Sequence, residues 1–144
     1  LEPGAIELAE QLLAAGHEPL SRSQLGDAVE QLPALIGAGV AVRVGRDLYA
    51  HRDALAVVKD RTRAIIENEG AVTLARLRDE LGTSRKYAQA LLEHLDGARY
   101  TLRLPDDRRV LRRRARAGAT QRANEQLPGD GPIGMPGRDE PRDP

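Results

Sequence analysis

The 144 residues include 22 Lys and Arg against 22 Asp and Glu, and no Cys, Trp or Phe. This length allows one ordinary domain or two very small ones, and it excludes a multidomain enzyme. The absence of cysteine excludes disulfides, cysteine-based zinc sites and thiol nucleophiles. No apolar run approaches the ~20 residues that span a bilayer, and no secretory signal is visible. We therefore expect a cytoplasmic fragment of a larger protein, with no membrane partner.

The zero net charge is made up of three unlike segments. Residues 1–53 carry four bases and eight acids, which gives −4, and residues 117–144 carry three bases and five acids, which gives −2. The fifteen bases and nine acids of residues 54–116 give +6. Affinity for phosphate rests on accumulated positive charge, so the overall balance would argue against a nucleic-acid partner. The charge of +6 on residues 54–116, considered by itself, removes that argument.

The first part of the chain predicts three short helices and a pair of strands. Apolar residues recur at helical spacing up to Gly16 and predict a first helix, and two shorter helices are predicted at 21–30 and 32–38. Strands are predicted at 41–44 and 48–51, joined by a Gly-Arg-Asp turn. The inward positions of the first helix are predicted to be Ile6, Ala9, Leu12 and Leu13.

The second part repeats this plan in longer form. Helices are predicted at 53–69, at 74–81 and from about residue 84 to 96, and strands at 100–104 and 109–111. The residues predicted to mark helix ends are Gly70, Thr73, Gly82 and either Thr83 or Ser84. The inward positions are Leu55, Val58, Thr62, Ile65 and Ile66 in the first helix, Leu74, Leu77 and Leu81 in the second, and Ala88, Leu91, Leu92 and Leu95 in the third.

Short helices joined by a tight turn and followed by a β-hairpin are the winged helix-turn-helix pattern. The sequence therefore predicts a mostly α chain with small β-hairpins (α+β), built as two tandem winged helix-turn-helix domains. The predicted domains are an acidic one at 1–52 and a basic one at 53–114. Residues 115–144 are rich in Gly, Pro and Asp and lose hydrophobic periodicity, so we expect a disordered tail.

The basic residues of the second domain fall in two places. Arg85, Lys86 and Gln89 lie off the apolar stripe at the start of the third helix, where free N–H groups and the helix dipole favour phosphate. An arginine cluster surrounds the second predicted hairpin, and guanidinium groups there could bind phosphates in bidentate fashion. The alternatives are a solvated helix face and an arginine-rich segment that only keeps the domain soluble.

No residue pattern indicates an enzyme. His17, His51 and His94 lack partners at metal-ligand spacing, and we expect them to be structural. Neither of the common glycine-rich nucleotide-binding motifs occurs. We therefore predict no catalytic residues and no metal site in this chain.

One stretch of sequence resembles a known family. The run LGTSRKYAQALLEHLD at 81–96, followed by RRVLR at 108–112, closely resembles the last winged-helix domain of the bacterial selenocysteine-specific translation elongation factor. The run DLYAHRDAL at 47–55 looks like the strand and linker that end the preceding winged helix in that family. The resemblance covers about residues 1–112 and is most specific from residue 82 to 96.

The resemblance implies that the chain binds an mRNA hairpin, the selenocysteine insertion element, which marks a UGA codon for recoding. It also implies that GTP and Mg²⁺ belong to an upstream domain absent here, so no cofactor is expected in this fragment. The ribosome and selenocysteinyl-tRNA would be partners of the full-length protein. Tyr100 is a candidate for stacking on an extruded base. The residues expected to bind RNA are Ser84, Arg85, Lys86, Gln89, Arg99, Arg103, Arg108, Arg109 and Arg112.

Two other functions remain open from the sequence. A transcription regulator would insert the third helix of the second domain into the major groove of DNA. A protein-interaction winged helix would bind through apolar surface, and its affinity for nucleic acid would be no better than nonspecific.

Overall fold

The computed structural model describes residues 1–113. Residues Leu1–Val110 form one compact unit, and of the second unit, Leu111–Pro144, the structure describes the three residues at the end of β5 and just after it. The predicted disordered tail at 115–144 lies outside the described residues. The division of the rest into domains at 1–52 and 53–114 stays a prediction.

The first half of the compact unit consists of three α-helices and a three-stranded antiparallel sheet. The strand order is β1-β3-β2, and the register pairs Arg43 with Tyr49 and Tyr49 with Leu20. The elements are α1 (Pro3–Ala15), β1 (Leu20–Ser21), α2 (Arg22–Leu25), a 3-10 segment (Gly26–Gln31), α3 (Leu32–Gly37), β2 (Ala41–Val44) and β3 (Leu48–His51). We call β2, β3 and the turn between them the first wing.

The predicted inward face of α1 is confirmed at Leu12 and in part at Ala9, and it is wrong at Ile6 and Leu13. Ala5, Leu8 and Leu12 are the buried positions, whereas Ile6 is 47% exposed and Leu13 is 48% exposed. Nearly every position of α1 between the charged residues is apolar, so periodicity alone did not identify the stripe that packs. The buried stripe lies against α3, the 3-10 segment and β3.

The predicted helix at 21–30 is shorter than expected. Ser21 caps α2 in a reciprocal arrangement with Gln24, and the α-helix ends at Leu25. Gly26 has a positive φ of 58°, which interrupts the helix, and the chain continues as a 3-10 segment. The two-residue strand β1 was not predicted, because two residues are too few to show an alternating pattern.

The second half follows the prediction closely. The elements are α4 (Arg52–Glu69), α5 (Leu74–Leu81), α6 (Arg85–Gly97), β4 (Thr101–Arg103) and β5 (Arg109–Leu111). Thr73 and Ser84 cap α5 and α6, and Gly70 and Gly82 end α4 and α5 in the left-handed conformation. We call β4, β5 and the turn between them the second wing.

The core of the second half holds α5 and α6 together. Leu77 of α5 and Leu91 and Leu92 of α6 are fully buried, and Leu95 is nearly so. Each such leucine contributes about 1.5–3 kcal/mol by leaving water. The predicted stripe of α6 is therefore confirmed, and it fixes which side of α6 faces outward. The prediction of a mostly helical chain with small antiparallel hairpins and a winged helix is also confirmed.

Candidate nucleic-acid interface

The start of α6 presents two exposed cations. The Ser84 hydroxyl accepts a hydrogen bond from the backbone N–H of Tyr87 at 3.4 Å and caps the helix. Arg85 and Lys86 then occupy the first turn, outside the buried stripe. Within residues 1–113, Arg85 forms no ion pair or hydrogen bond through its side chain, and the Lys86 ammonium lies 5.4 Å from the centre of the Tyr87 ring. Both cations are available to a ligand at the positive end of the helix dipole.

The outward face of α6 changes sign along its length. The Gln89 amide donates to the Glu93 carboxylate at 3.1 Å, and Asp96 follows one turn later. A phosphate backbone laid along the whole face would meet the exposed carboxylate of Glu93. The basic first turn is therefore the part of α6 that suits phosphate, with Gln89 at its border.

Arg99 lies apart from this first turn. It follows the end of α6 and has a positive φ of 64°. The 13 residues of α6 separate it from Arg85, which corresponds to about 20 Å along the helix axis at 1.5 Å per residue. The structure therefore does not bring Arg99 together with Arg85 and Lys86.

The second wing carries two exposed arginines, and each is paired with an aspartate of the same turn. Arg103 lies 2.8 Å from Asp107, and Arg108 lies 2.8 Å from Asp106. The backbone N–H of Arg108, and then its side chain, hold the pKa of Asp106 below its usual range. All four side chains are more than half exposed, and exposed pairs of this kind contribute at most about 1 kcal/mol. A phosphate could replace either aspartate at small cost.

Arg109 is not available to a ligand. Its side chain is 4% exposed, and its guanidinium donates twice to the carboxylate of Asp96, at 3.1 and 3.2 Å, and once to the backbone carbonyl of Asp107. The Thr101 hydroxyl donates to the other oxygen of Asp96 at 2.7 Å. Arg109 therefore ties the second wing to the end of α6, and we withdraw it from the predicted binding set. Arg112, which follows β5, is half-buried.

Tyr100 is partly covered by cations of α4. The Lys59 ammonium lies 4.5 Å from the centre of the Tyr100 ring, and the Arg63 guanidinium lies 5.6 Å from it. Burial raises the pKa of Tyr100. One use of this ring is therefore to hold side chains of its own chain, and no residue pattern in the sequence indicated that contact.

The histidines have local roles in the structure. The ring of His51 is buried, and its Nδ1 accepts the backbone N–H of Asp53 at 3.0 Å, which caps α4. His94 is half-buried on α6, and burial lowers its pKa below the ordinary value. Among the described residues, no three His, Cys, Asp or Glu side chains gather as a candidate metal site. Within the same residues, no helix is both long enough and apolar enough to cross a membrane.

Helices α4 to α6, followed by the second wing, define a winged-helix fold, and the start of its last helix is basic. Residues 63–110 match the family described as "Elongation factor SelB, winged helix". The predicted resemblance to the C-terminal winged-helix region of the selenocysteine-specific elongation factor is confirmed.

Known relatives agree with this match. The chain is 28% identical over 87 residues to the selenocysteine-specific elongation factor of Desulfomicrobium baculatum, an alignment that covers 60% of this chain and 14% of that protein. The chain thus spans about a seventh of the curated relative it matches.

Two solved structures share the fold. The first is the mRNA-binding domain of elongation factor SelB from E. coli in complex with SECIS RNA, with a TM-score of 0.64 and 22% identity over 78% of this chain and 99% of that one. The second is bacterial selenocysteine-specific elongation factor EF-Sec, with a TM-score of 0.66 and 23% identity over 78% of this chain and 19% of that one.

Proposed function

We propose that this chain is the mRNA-binding part of a selenocysteine-specific elongation factor, and that it recognises the selenocysteine insertion hairpin for UGA recoding. The observation that carries the proposal is the family match over residues 63–110, which includes α6 and nearly all of the second wing. The basic first turn of α6 lies inside that match. The E. coli domain of the same fold is described in complex with SECIS RNA.

The binding surface centres on the first turn of α6. Ser84, Arg85 and Lys86 provide a helix start and two cations, and Gln89 lies at the border of this surface. Arg103 and Arg108 join it by exchanging their aspartate partners for phosphates. Arg99, which lies apart from this first turn, and Arg112 are the remaining candidates from the sequence.

An RNA hairpin suits such a surface better than a continuous duplex does. The major groove of A-form RNA is too deep and narrow for a helix, so a protein reads loops and bulges and holds the flanking phosphates with basic side chains. The part of α6 before Glu93 is free of carboxylates and only its first turn is basic, which limits the contact to a short length of backbone. A closed loop beside a stem offers that kind of target.

The other functions of the whole factor are placed outside this chain in our proposal. GTP and Mg²⁺ would be bound upstream, and selenocysteinyl-tRNA and the ribosome would be partners of the full-length protein. The chain itself would act without catalysis, by binding, in the cytoplasm. These assignments rest on the family match of the second half.

Removing the two cations of α6 tests the proposed surface. The probe is a selenocysteine insertion hairpin from the source organism, and the competitor is a stem of equal length with a scrambled loop. In the 144-residue chain, Arg85→Ala with Lys86→Ala should weaken binding about tenfold per lost contact near 0.1 M salt, and lower the salt slope by about one unit per contact.

The matched control removes two arginines from other helices, the exposed Arg61 and the partly exposed Arg78. Arg61→Ala with Arg78→Ala takes the same charge from α4 and α5. We expect its affinity and salt slope to stay near those of the unmodified chain. Equal losses in the two double variants would show that only net charge matters, and would refute the proposed surface.

A further inference from the structure

The first half of the chain is acidic, yet three of its eight acids lie apart from its arginines in the sequence. Glu2, Glu7 and Glu10 lie on or just before α1, away from the sheet in sequence. Three of the four arginines belong to the first wing or to the helix that follows β1. These are Arg22, the first residue of α2, Arg43 on β2, and Arg46 in the turn of the first wing. All three are exposed.

The sheet register brings these arginines to one place. Leu20, Tyr49 and Arg43 are directly opposite one another across β1, β3 and β2. The Arg22 guanidinium donates to the Tyr49 hydroxyl at 3.4 Å, and the Arg43 Nε donates to the backbone carbonyl of Arg46 at 2.8 Å. Tyr49 itself is buried and holds Arg22 beside the first wing.

These guanidinium groups differ from those of the second wing in what they contact. Among the residues that the structure describes, Arg22, Arg43 and Arg46 form no ion pair, although Asp47 lies in the same turn. Each guanidinium has five N–H donors, and Arg22 and Arg43 each use one of them on an uncharged oxygen. The remaining donors suit a phosphate, which accepts paired hydrogen bonds from arginine.

The compact unit also places the first wing near α6. The Thr83 hydroxyl, just before the cap of α6, donates to the Glu18 carboxylate at 3.0 Å, and Glu18 lies just before β1. In addition, α6 lies beside β2, the strand that carries Arg43. A nucleic acid held at the start of α6 would therefore have the first wing within reach.

From this geometry we propose that Arg22, Arg43 and Arg46 form a second contact for the phosphate backbone of the RNA. The inference rests on the proposed function for its ligand, and it extends the binding surface into the acidic half of the chain. The contact is independent of sequence, because arginine bonds to phosphate oxygens carry no base information. Its effect is to lengthen the stretch of stem that the chain holds.

The test measures RNA affinity and its salt dependence in the 144-residue chain. Arg43→Ala with Arg46→Ala should weaken binding about tenfold per lost contact near 0.1 M salt and lower the salt slope by about one unit per contact. Arg43→Lys with Arg46→Lys keeps both charges and should restore the slope. Arg61→Ala with Arg78→Ala is again the control of equal charge.

The two RNA probes separate this inference from the proposed function. The loss in Arg43→Ala with Arg46→Ala should appear equally on the selenocysteine hairpin and on the scrambled stem, because it concerns backbone only. If the unmodified chain did not prefer the selenocysteine hairpin, the proposed function would fail. The loss of affinity in Arg43→Ala with Arg46→Ala could still be measured on both probes. A loss no larger than that of the charge control on both probes would overturn the second contact.

The third arginine has its own test through Tyr49. Tyr49→Phe removes the hydroxyl that accepts from Arg22 and leaves the ring in place. We expect a weaker loss, of about two- to threefold, because the guanidinium stays but is no longer held in one position. If Tyr49→Phe combined with Arg22→Ala loses no more RNA affinity than Arg22→Ala alone, Tyr49 acts through Arg22. Additive losses would contradict that role.

Discussion

The two wings hold their arginines in opposite ways. In the second wing, Arg103 and Arg108 face Asp107 and Asp106, and Arg109 is buried against Asp96. In the first wing, Arg43 and Arg46 form no ion pair among residues 1–113. The wing in the positively charged segment thus has its arginines in ion pairs with aspartates. The wing in the acidic segment has arginines that pair with no acid among residues 1–113. Net charge of a segment does not tell how much of that charge a ligand can reach.

The buried ion pair between Arg109 of the second wing and Asp96 of α6 gives a physical reason for this difference. A buried guanidinium needs a carboxylate, because leaving it unpaired in a low-dielectric setting is costly. Arg109 therefore serves stability through Asp96, whereas Arg103 and Arg108 are paired separately, with the exposed Asp107 and Asp106 of the turn. The first wing is anchored by its apolar strand residues and by buried Tyr49, so no arginine is buried there and none needs a carboxylate partner.

The largest expected effect concerns the buried pair. Asp96→Ala leaves Arg109 without a carboxylate and frees the Thr101 hydroxyl, so the free energy of unfolding should fall by about 3–5 kcal/mol. Asp106→Ala, which breaks an exposed pair, should cost less than about 1 kcal/mol. Urea unfolding of both variants measures the difference. Similar losses would contradict the structural role of Arg109.

A smaller effect is expected when the second wing is made to resemble the first. Asp106→Asn with Asp107→Asn removes the partners of Arg108 and Arg103, and asparagine tolerates the positive φ of 72° at residue 107. RNA affinity should rise by up to about tenfold, with a steeper salt slope. Asp60→Asn with Asp79→Asn removes the same charge elsewhere. If both variants bound RNA equally well, the aspartates of the second wing would not be restraining its arginines.

The smallest expected effect is on how stability depends on pH, and it comes from His94 in α6, outside both wings. Burial lowers the pKa of His94 below 6.5, so the folded chain binds fewer protons than the unfolded chain as the pH falls through that value. The free energy of unfolding should therefore decrease below about pH 6.5, in the window down to the lowered pKa. His94→Gln should show a flatter dependence between pH 5 and 8. An unchanged slope in that variant would assign the pH dependence to other groups.

The second half of the fold was predictable because the helical period of its apolar residues and the residues that end its helices agree with one another. The stripe Ala88, Leu91, Leu92 and Leu95 has a clear helical period, and Ser84 and Gly82 mark the helix ends beside it. The first half lacks such agreement. Its helix α1 is apolar on several sides, and its second helix is interrupted at Gly26.

The site was predictable only as a list of residue types. The sequence placed cations at the start of α6, and the structure leaves Arg85 and Lys86 exposed there. It did not reveal that Arg109 faces inward, because Val110 and Leu111 are both apolar and a three-residue strand does not show which of its faces is buried. The partner that reverses this is Asp96, thirteen residues earlier, which only the fold brings close.

The first wing was missed for a related reason. Arg22 is 21 residues from Arg43 in the sequence, and Arg22, Arg43 and Arg46 all lie in a segment of net negative charge. Their common position depends on the pairing of β1 with β3, and β1 is only two residues long. No local pattern could have joined Arg22 to the other two.

The central claim is that the chain binds an RNA hairpin through the start of α6, and a competition experiment tests it most directly. The labelled selenocysteine hairpin is bound to the 144-residue chain near 0.1 M salt, where nonspecific binding to phosphate is already weakened. Unlabelled hairpin is then compared with a DNA duplex of equal length as competitor. We predict that the hairpin displaces the label and that the duplex does so only at much higher concentration. Displacement by the duplex at equal concentration would contradict the account and favour a DNA-binding winged helix.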